Sequence, residues 1–392
     1  MSKQLIDRSS DLKRLRDEGF DLAIDSGYLL IRDVPYVSSA RAIKRGVLVS
    51  KLTLAGDVTA RPDSHVAYFS GDQPCSADGR EIEQIKNPSR PPNGVPADLT
   101  FSAKPMPSGF YEDYYDKVTA YVAILSGPAV AIDPAVTAKT FPPIPTEEGD
   151  DCSFHYMDTA SSRAEITNIT KKLENRKIAI VGLGGTGSYV LDLVAKTPVR
   201  EIHLFDGDEF LSHNAFRSPG APSLEELRAK PRKAAYFKAI YSKMHRGIID
   251  HEAYAAEANT AIFQEMDFVF LCVDSGLTRK WLVQKLEQFG SSFIDVGMGV
   301  DLADDALGGI LRVTASTPEQ REHFRKRVSF AETDDRGEYA SNIQIVDLNA
   351  LNAALAVIKW KKLCGFYHDL ELEYNSTYTI DGNHLTNVDR LA

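Results

Sequence analysis

The sequence is short of cysteine, of long apolar runs and of positive charge, and each shortage closes off a class of protein. Only four cysteines occur in 392 residues, Cys75, Cys152, Cys272 and Cys364, and no two of them form a Cys-x-x-Cys pair. They are too few and too scattered for a disulfide scaffold or a four-thiolate zinc site, so a reducing, cytoplasmic setting without zinc is expected. No stretch approaches the roughly 18 uninterrupted apolar residues that cross a bilayer. The opening MSKQLIDRSSDLKRL also lacks the apolar core of a secretory signal. Neither export nor a membrane partner is therefore expected. With 45 Lys+Arg against 55 Asp+Glu and a formal net charge of −10, the chain has no broad positive field for nucleic acid or anionic lipid. Local basic pockets stay open.

What is present is an ordinary globular balance, 43% hydrophobic and 26% charged, in a length that suits two domains. Residues 141–151 carry three prolines and an acidic run and read as a linker, which puts a boundary near residue 150. Residues 1–150 read as a smaller α+β domain. It would hold a Ser-capped helix over 9–25, strands over 28–32 and 66–69, an extended loop over 88–107 with six prolines, and an amphipathic helix over 110–125. In residues 151–392 the pattern becomes α/β, with strands expected at 178–181, 201–205, 268–273 and 293–296. Helices are expected at 186–196, 277–289 and 342–364, the last with a small apolar face of Ala350, Ala353, Ala354 and Val357. Such alternation predicts a Rossmann-like, mostly parallel sheet covered on both faces.

Between the first of these strands and its helix stands Val181-Gly-Leu-Gly-Gly-Thr-Gly-Ser188, with glycines at 182, 184, 185 and 187. Glycine there lets the backbone turn sharply and approach a phosphate, whose charge meets the free N–H groups of the helix start. About twenty residues on, Asp206 closes a strand where it can accept hydrogen bonds from ribose hydroxyls. The pattern points to a nucleotide without separating a dinucleotide from ATP, and a tight turn kept for packing is the plain alternative. Further on come Asp208, Asn214 and Arg217 in one polar loop, Lys233 at a helix start, and Asp274 at the mouth of another strand. Arg217 and Lys233 taken singly are solvated charges, Asp208 suits a turn, and Asp274 suits a helix cap. His203, His213, His245 and His251 show no metal spacing, and Trp281 and Trp360 read as core.

Taken together and in this order, over about residues 163–365, these motifs resemble the ThiF/MoeB and ubiquitin-activating enzyme superfamily of adenylyltransferases. The resemblance implies ATP as cosubstrate, ribose binding by Asp206 with Asp208 nearby, and phosphates held by Gly182, Gly184, Gly185 and Gly187. It further implies that Asn214, Arg217 and Lys233 bind and polarise those phosphates, that Asp274 is the magnesium aspartate, and that a homodimer forms. Relatives often add an N-terminal arginine that reaches an active site across the dimer, for which Arg163 is the nearest candidate. The implied substrate is the C-terminal carboxylate of a ubiquitin-like protein, or alternatively of a sulfur-carrier protein or small peptide. An NAD-dependent oxidoreductase would leave Arg217, Lys233 and Asp274 without a task, and a catalytically silent module would not need them.

The chain departs from these relatives in two ways. It lacks the paired Cys-x-x-Cys motifs of their structural zinc, and residues 301–336, matching their crossover segment, contain no cysteine. Either the acyl-adenylate is the end product, with Thr314, Ser316 and Thr317 ordinary loop residues, or one of these hydroxyls or Cys152 receives the acyl group. A hydroxyl acceptor would need an activating base, for which His323 is the candidate. The N-terminal half resembles a module found ahead of ThiF-type domains in bacterial ubiquitin-like conjugation operons, suited to recognising the carrier or a conjugating enzyme. Cys75 is expected on a turn.

Overall fold

The apolar patterns of the two halves build separate cores in each half of the computed structural model, which describes residues 2–146, 152–331 and 343–391. The chain divides into the units Met1–Ile144 and Pro145–Ala392. The boundary expected at residue 150 lies outside the described residues, as do 332–336 of the expected crossover segment and Asn342 of the expected last helix.

In the first unit an antiparallel sheet runs in the spatial order Asp21–Asp25, Tyr28–Val37, Ile43–Lys51, Val66–Ser70, Leu99–Ser102 and Lys86–Asn87. The helix Tyr114–Ile132 lies against Tyr28–Val37. Its Tyr114, Val118, Tyr121 and Leu125, spaced three and four apart, bury themselves with Leu29, Ile31, Phe69 and Phe101. Asp113 starts this helix by accepting a hydrogen bond from the Asp116 N–H at 2.8 Å. The helix expected over 9–25 is shorter, Ser10–Asp17. Gly19 takes a left-handed φ of +102° that ends it and releases Asp21–Asp25 as a strand. The Ser9 hydroxyl does not cap it but accepts from the Thr59 N–H at 3.0 Å. Leu99–Ser102 occupies the longest proline-free stretch of the expected loop.

In the second unit, numbered on its own, the strands are β1 Lys177–Val181, β2 Glu201–Phe205, β3 Ile248–His251, β4 Phe268–Leu271, β5 Ser292–Ala303, β6 Ala306–Ser316, β7 Asn375–Thr379 and β8 His384–Val388. They form one sheet in the order β3-β2-β1-β4-β5-β6-β7-β8. The first five strands are parallel, as expected for a Rossmann-like sheet. The remaining three extend it antiparallel. Residues 301–316, expected to open a crossover, instead continue β5 into a hairpin with β6, so Thr314 and Ser316 are strand residues rather than loop.

Alternation along the strands sorts their side chains to two faces. Ile178 and Ile180 of β1 face α1 Gly185–Val194, α2 Lys233–Tyr241 and α4 Val346–Leu363, and this core includes Val190, Phe237 and the fully buried Trp360. Ala179 and Val181 face the other way, with Leu282 and Leu286 of α3 Gly276–Phe289. Trp281 is only half-buried and donates to Glu257 at 3.1 Å. Because strand order reverses between β1 and β4, the crevice at their carboxyl ends opens where the glycine loop begins.

Candidate active site

At that crevice lies a cavity of ≈ 1010 Å³ whose lining includes Gly182, Gly184, Gly185, Asp206, Asp208, Asn214, Arg217, Lys233 and Asp274. Residues spread over 93 positions of sequence are thus gathered at the ends of three neighbouring strands.

The loop that receives them is built by close approach. Gly182 has φ +88°, and a Cβ there would lie 2.5 Å from the Cys272 carbonyl oxygen; one on Gly187 would lie 1.9 Å from the Gly182 carbonyl oxygen. Gly187 therefore packs the loop and does not line the cavity. Gly184, with no atom within 4 Å of a Cβ position, leaves its side open. Asp206 staples the loop to β2: its Oδ2 accepts from the Leu183 N–H at 2.7 Å and its Oδ1 from the Asp208 N–H at 2.9 Å.

The cations come from the following segments. Lys233, first residue of α2, is buried and donates to Asp208 Oδ2 at 2.7 Å, with Asp206 Oδ1 at 3.6 Å. Burial works against ionisation of Asp208, but hydrogen bonds from Lys233 and Tyr254 prevail and hold its carboxyl below the usual range. The short helix Ser212–Ala215 carries Asn214, whose Oδ1 accepts from the Leu211 N–H at 2.9 Å and fixes the amide. Asn214 Nδ2 and Arg217 Nε are buried and have no hydrogen-bond partner. Burial pulls the Arg217 guanidinium below its ordinary value, opposed by the charge of Asp274. His213, also lining the cavity, is held toward its neutral form by burial and by Arg217 and Lys233. Unpaired buried donors in a positive field fit an anionic ligand, since a buried donor left unmet is costly.

Asp274, the third residue beyond β4, lines the cavity. Among the described residues no group of three His, Cys, Asp or Glu side chains is placed to hold a metal. One carboxylate beside a phosphate cradle nevertheless suits magnesium, which is commonly bound by one or two carboxylates together with substrate phosphates.

Several lining residues escaped the motif reading. Arg279 and Arg312 line the cavity, and both are held by Asp295, which lies fully buried behind them on β5 and accepts from Arg279 Nε at 2.8 Å and Arg312 Nη2 at 2.6 Å. Arg279 also bonds the Val273 carbonyl, fixing the strand end next to Asp274. Asn349 and Asn352 of α4 line the same cavity. Their signal was two asparagines one helical turn apart on a surface otherwise built of small apolar residues.

The proposed acyl acceptors do not reach the cavity. Thr314 is fully buried, its hydroxyl accepting from Arg312 Nη1 at 2.6 Å and donating to Asn375 at 2.7 Å. Ser316 is also fully buried, and the Thr317 hydroxyl pairs with Tyr374 at 3.1 Å. His323 is buried against the Ala315 carbonyl at 2.8 Å, and burial lowers its pKa. Packing has therefore taken up every hydroxyl of the group and buried the expected base, whose Nδ1 is enclosed without a partner. Cys152 and the exposed Arg163, which ends the helix Thr159–Arg163, stand outside the lining. In the first unit Cys75, expected on a turn, is fully buried just ahead of one, bridged to Val37 and Glu81, and burial raises its thiol.

Two family models match the chain. Residues 10–159 match the model of a domain of unknown function, DUF6791, and residues 159–379 match that of the ThiF family. No curated protein matches the chain. Among solved structures, Escherichia coli MccB with MccA-N7isoAsn is 18% identical, over 59% of this chain and 70% of that one, with a TM-score of 0.47. The microcin C7 biosynthetic enzyme MccB in complex with N-formylated MccA is 16% identical, over 78% of this chain and 95% of that one, also with a TM-score of 0.47. With the ThiF model matching more than half of its residues, the chain belongs to the ThiF family of ATP-using adenylyltransferases.

Proposed function

We infer that this protein adenylates the C-terminal carboxylate of a ubiquitin-like protein in a bacterial conjugation pathway, acting as a homodimer. The observation that carries the reading is the single cavity joining an open glycine loop, the unpaired donors of Asn214 and Arg217, the buried Lys233 and Asp274. A sulfur-carrier protein or small peptide is the second reading, since it asks the same chemistry of the same residues.

In the reaction a carboxylate oxygen attacks the α-phosphorus of ATP. The new O–P bond makes the acyl-adenylate, and the bond from the α-phosphorus to the bridging oxygen breaks to release pyrophosphate. The carboxylate is already ionised at neutral pH, so no protein base is required. Arg217 and Lys233 meet the charge that builds on the phosphate oxygens, and Lys233 exchanges its bond to Asp208 for one to phosphate. Asn214 Nδ2 adds a neutral donor. Magnesium bound at Asp274 would supply further charge neutralisation on the phosphates. With Thr314, Ser316 and Thr317 sealed in packing, the acyl-adenylate is the product handed onward. The N-terminal unit is assigned recognition of the carrier protein or of a conjugating enzyme.

ATP–pyrophosphate exchange with candidate carrier proteins tests the reading. Lys233→Ala and Asp274→Ala are each expected to lower exchange by about 100-fold or more, the scale of losing one charge-stabilising group. Exchange indifferent to both substitutions, or hydride transfer to NAD in its place, would overturn the assignment.

A further inference from the structure

Asn349 and Asn352 stand one turn apart on α4, only 1% and 0% exposed. Half of each amide is committed. Asn349 Oδ1 accepts from the Thr186 hydroxyl at 2.9 Å, and Asn352 Nδ2 donates to the Gly297 carbonyl at 3.0 Å. The other halves, Asn349 Nδ2 and Asn352 Oδ1, are buried without a partner in the lining of the cavity.

These two orphans have opposite polarity, and that distinguishes their ligands. Nδ2 suits a phosphate or carboxylate oxygen, whereas Oδ1 repels one and needs an N–H or O–H donor. ATP carries such donors only on its nucleoside, which the adenylation reading seats at Asp206 on β2. Asn352 is tied to Gly297 on β5, three strands away, or roughly 14 Å at the usual strand spacing. The donor that meets Asn352 therefore belongs to the other substrate.

We propose that Asn352 Oδ1 accepts the main-chain N–H of the substrate's C-terminal residue while Asn349 Nδ2 donates to its carboxylate. The enzyme then selects polypeptide C-termini over carboxylates that lack an amide. This rests on the adenylation reading above and assigns the residues by which that site recognises its substrate. An extended residue presents its N–H and C=O on one side of the backbone, and helix positions i and i+3 hold their Cβ atoms about 5–6 Å apart, a matching span. The direction also follows. Asn349 abuts the glycine loop, where a Cβ on Gly185 would fall 2.1 Å from its Nδ2, so the carboxylate points toward the phosphates. The chain then leaves past Gly297 and Gly299, the latter with no atom within 4 Å of a Cβ position.

Two adenylate mimics test this with the full-length protein: N-acetylglycyl sulfamoyl adenosine and its acetoxyacetyl ester counterpart, which replaces the one amide N–H by oxygen. Titration calorimetry is expected to show the amide mimic bound about 10-fold more tightly by the wild type, the scale of one hydrogen bond to a buried acceptor. In Asn352→Ala that preference is expected to vanish, with ATP binding as the check that the variant is folded. Equal binding of the two mimics by the wild type overturns the proposal without needing any variant, and a preference that survives Asn352→Ala overturns it as well. A protein that binds ATP but neither mimic would remove the acyl-adenylate reading itself, and this inference with it.

Discussion

His245 shows how a single side chain can be decided by its surroundings. In the sequence it is one histidine among nine without metal spacing. In the fold it is fully buried, its Nε2–H donating to the Val199 carbonyl at 2.9 Å and its Nδ1 accepting from the Gly247 N–H at 3.0 Å. Only the neutral ring satisfies both bonds. Burial lowers its pKa from the ordinary 6.5 to about 4. A depressed pKa contributes stability that is present above the unfolded value and lost as pH falls through the folded one. The loss therefore falls between pH 6.5 and 4 and reaches at most about 3 kcal/mol. Urea unfolding across that window is expected to show the wild type losing more stability than His245→Gln, whose amide offers a donor and an acceptor but does not titrate. Identical losses would dismiss His245 as the group concerned. Asp206 and Lys233, singled out by their order and spacing, line the cavity. Thr314 and His323 were chemically suitable as an acceptor and its base, but hydroxyl and imidazole reactivity depends on burial, which distant residues such as Asn375 impose.

Among elements, the strand, glycine loop and helix over residues 177–194 could be read directly, since each part is encoded in adjacent residues. The hairpin of β5 and β6, turned at Asp304-Asp305, is local yet lay in a segment expected to be a crossover; the pairing of β7 with β6 joins positions some 60 to 70 residues apart and leaves only a weak local trace. The glycines of the loop also divide into two physical roles that their spacing alone does not separate. Gly187→Ala forces a Cβ to within 1.9 Å of the Gly182 carbonyl oxygen, so overpacking is expected to destabilise the fold by about 1–3 kcal/mol. Gly184→Ala meets open space and is expected to keep the melting temperature while weakening ATP binding by crowding the phosphates. Thermal melts paired with ATP titrations check both. A Gly187→Ala protein as stable as the wild type would contradict the packing role.

At the scale of the molecule, each unit closes its own core: the first around Tyr114, Tyr121 and Phe69, the second on the two faces of its sheet, around Ile180, Phe237 and Trp360 and around Val181, Leu282 and Leu286. Every cavity residue assigned to nucleotide binding belongs to the second unit. A ligand stabilises only the folding transition that creates its site, by about 2.7 kcal/mol at 100 times its dissociation constant. Scanning calorimetry of the full chain with saturating ATP and magnesium is thus expected to raise one transition and leave the other in place. A uniform upward shift of the whole profile would show that the units unfold as one. The sequence by itself determined the chemistry on offer: the glycine loop, the order of Asp206, Arg217, Lys233 and Asp274, and with them the family. These follow from neighbouring residues and from spacing along one chain. Only the tertiary structure decided which polar atoms are used up and which still await a partner. Thr186 and Asn349 are 163 residues apart in sequence and 2.9 Å apart in space, and the hydrogen-bond demand left at Asn349 and Asn352 arises when packing brings α4 against the glycine loop and β5.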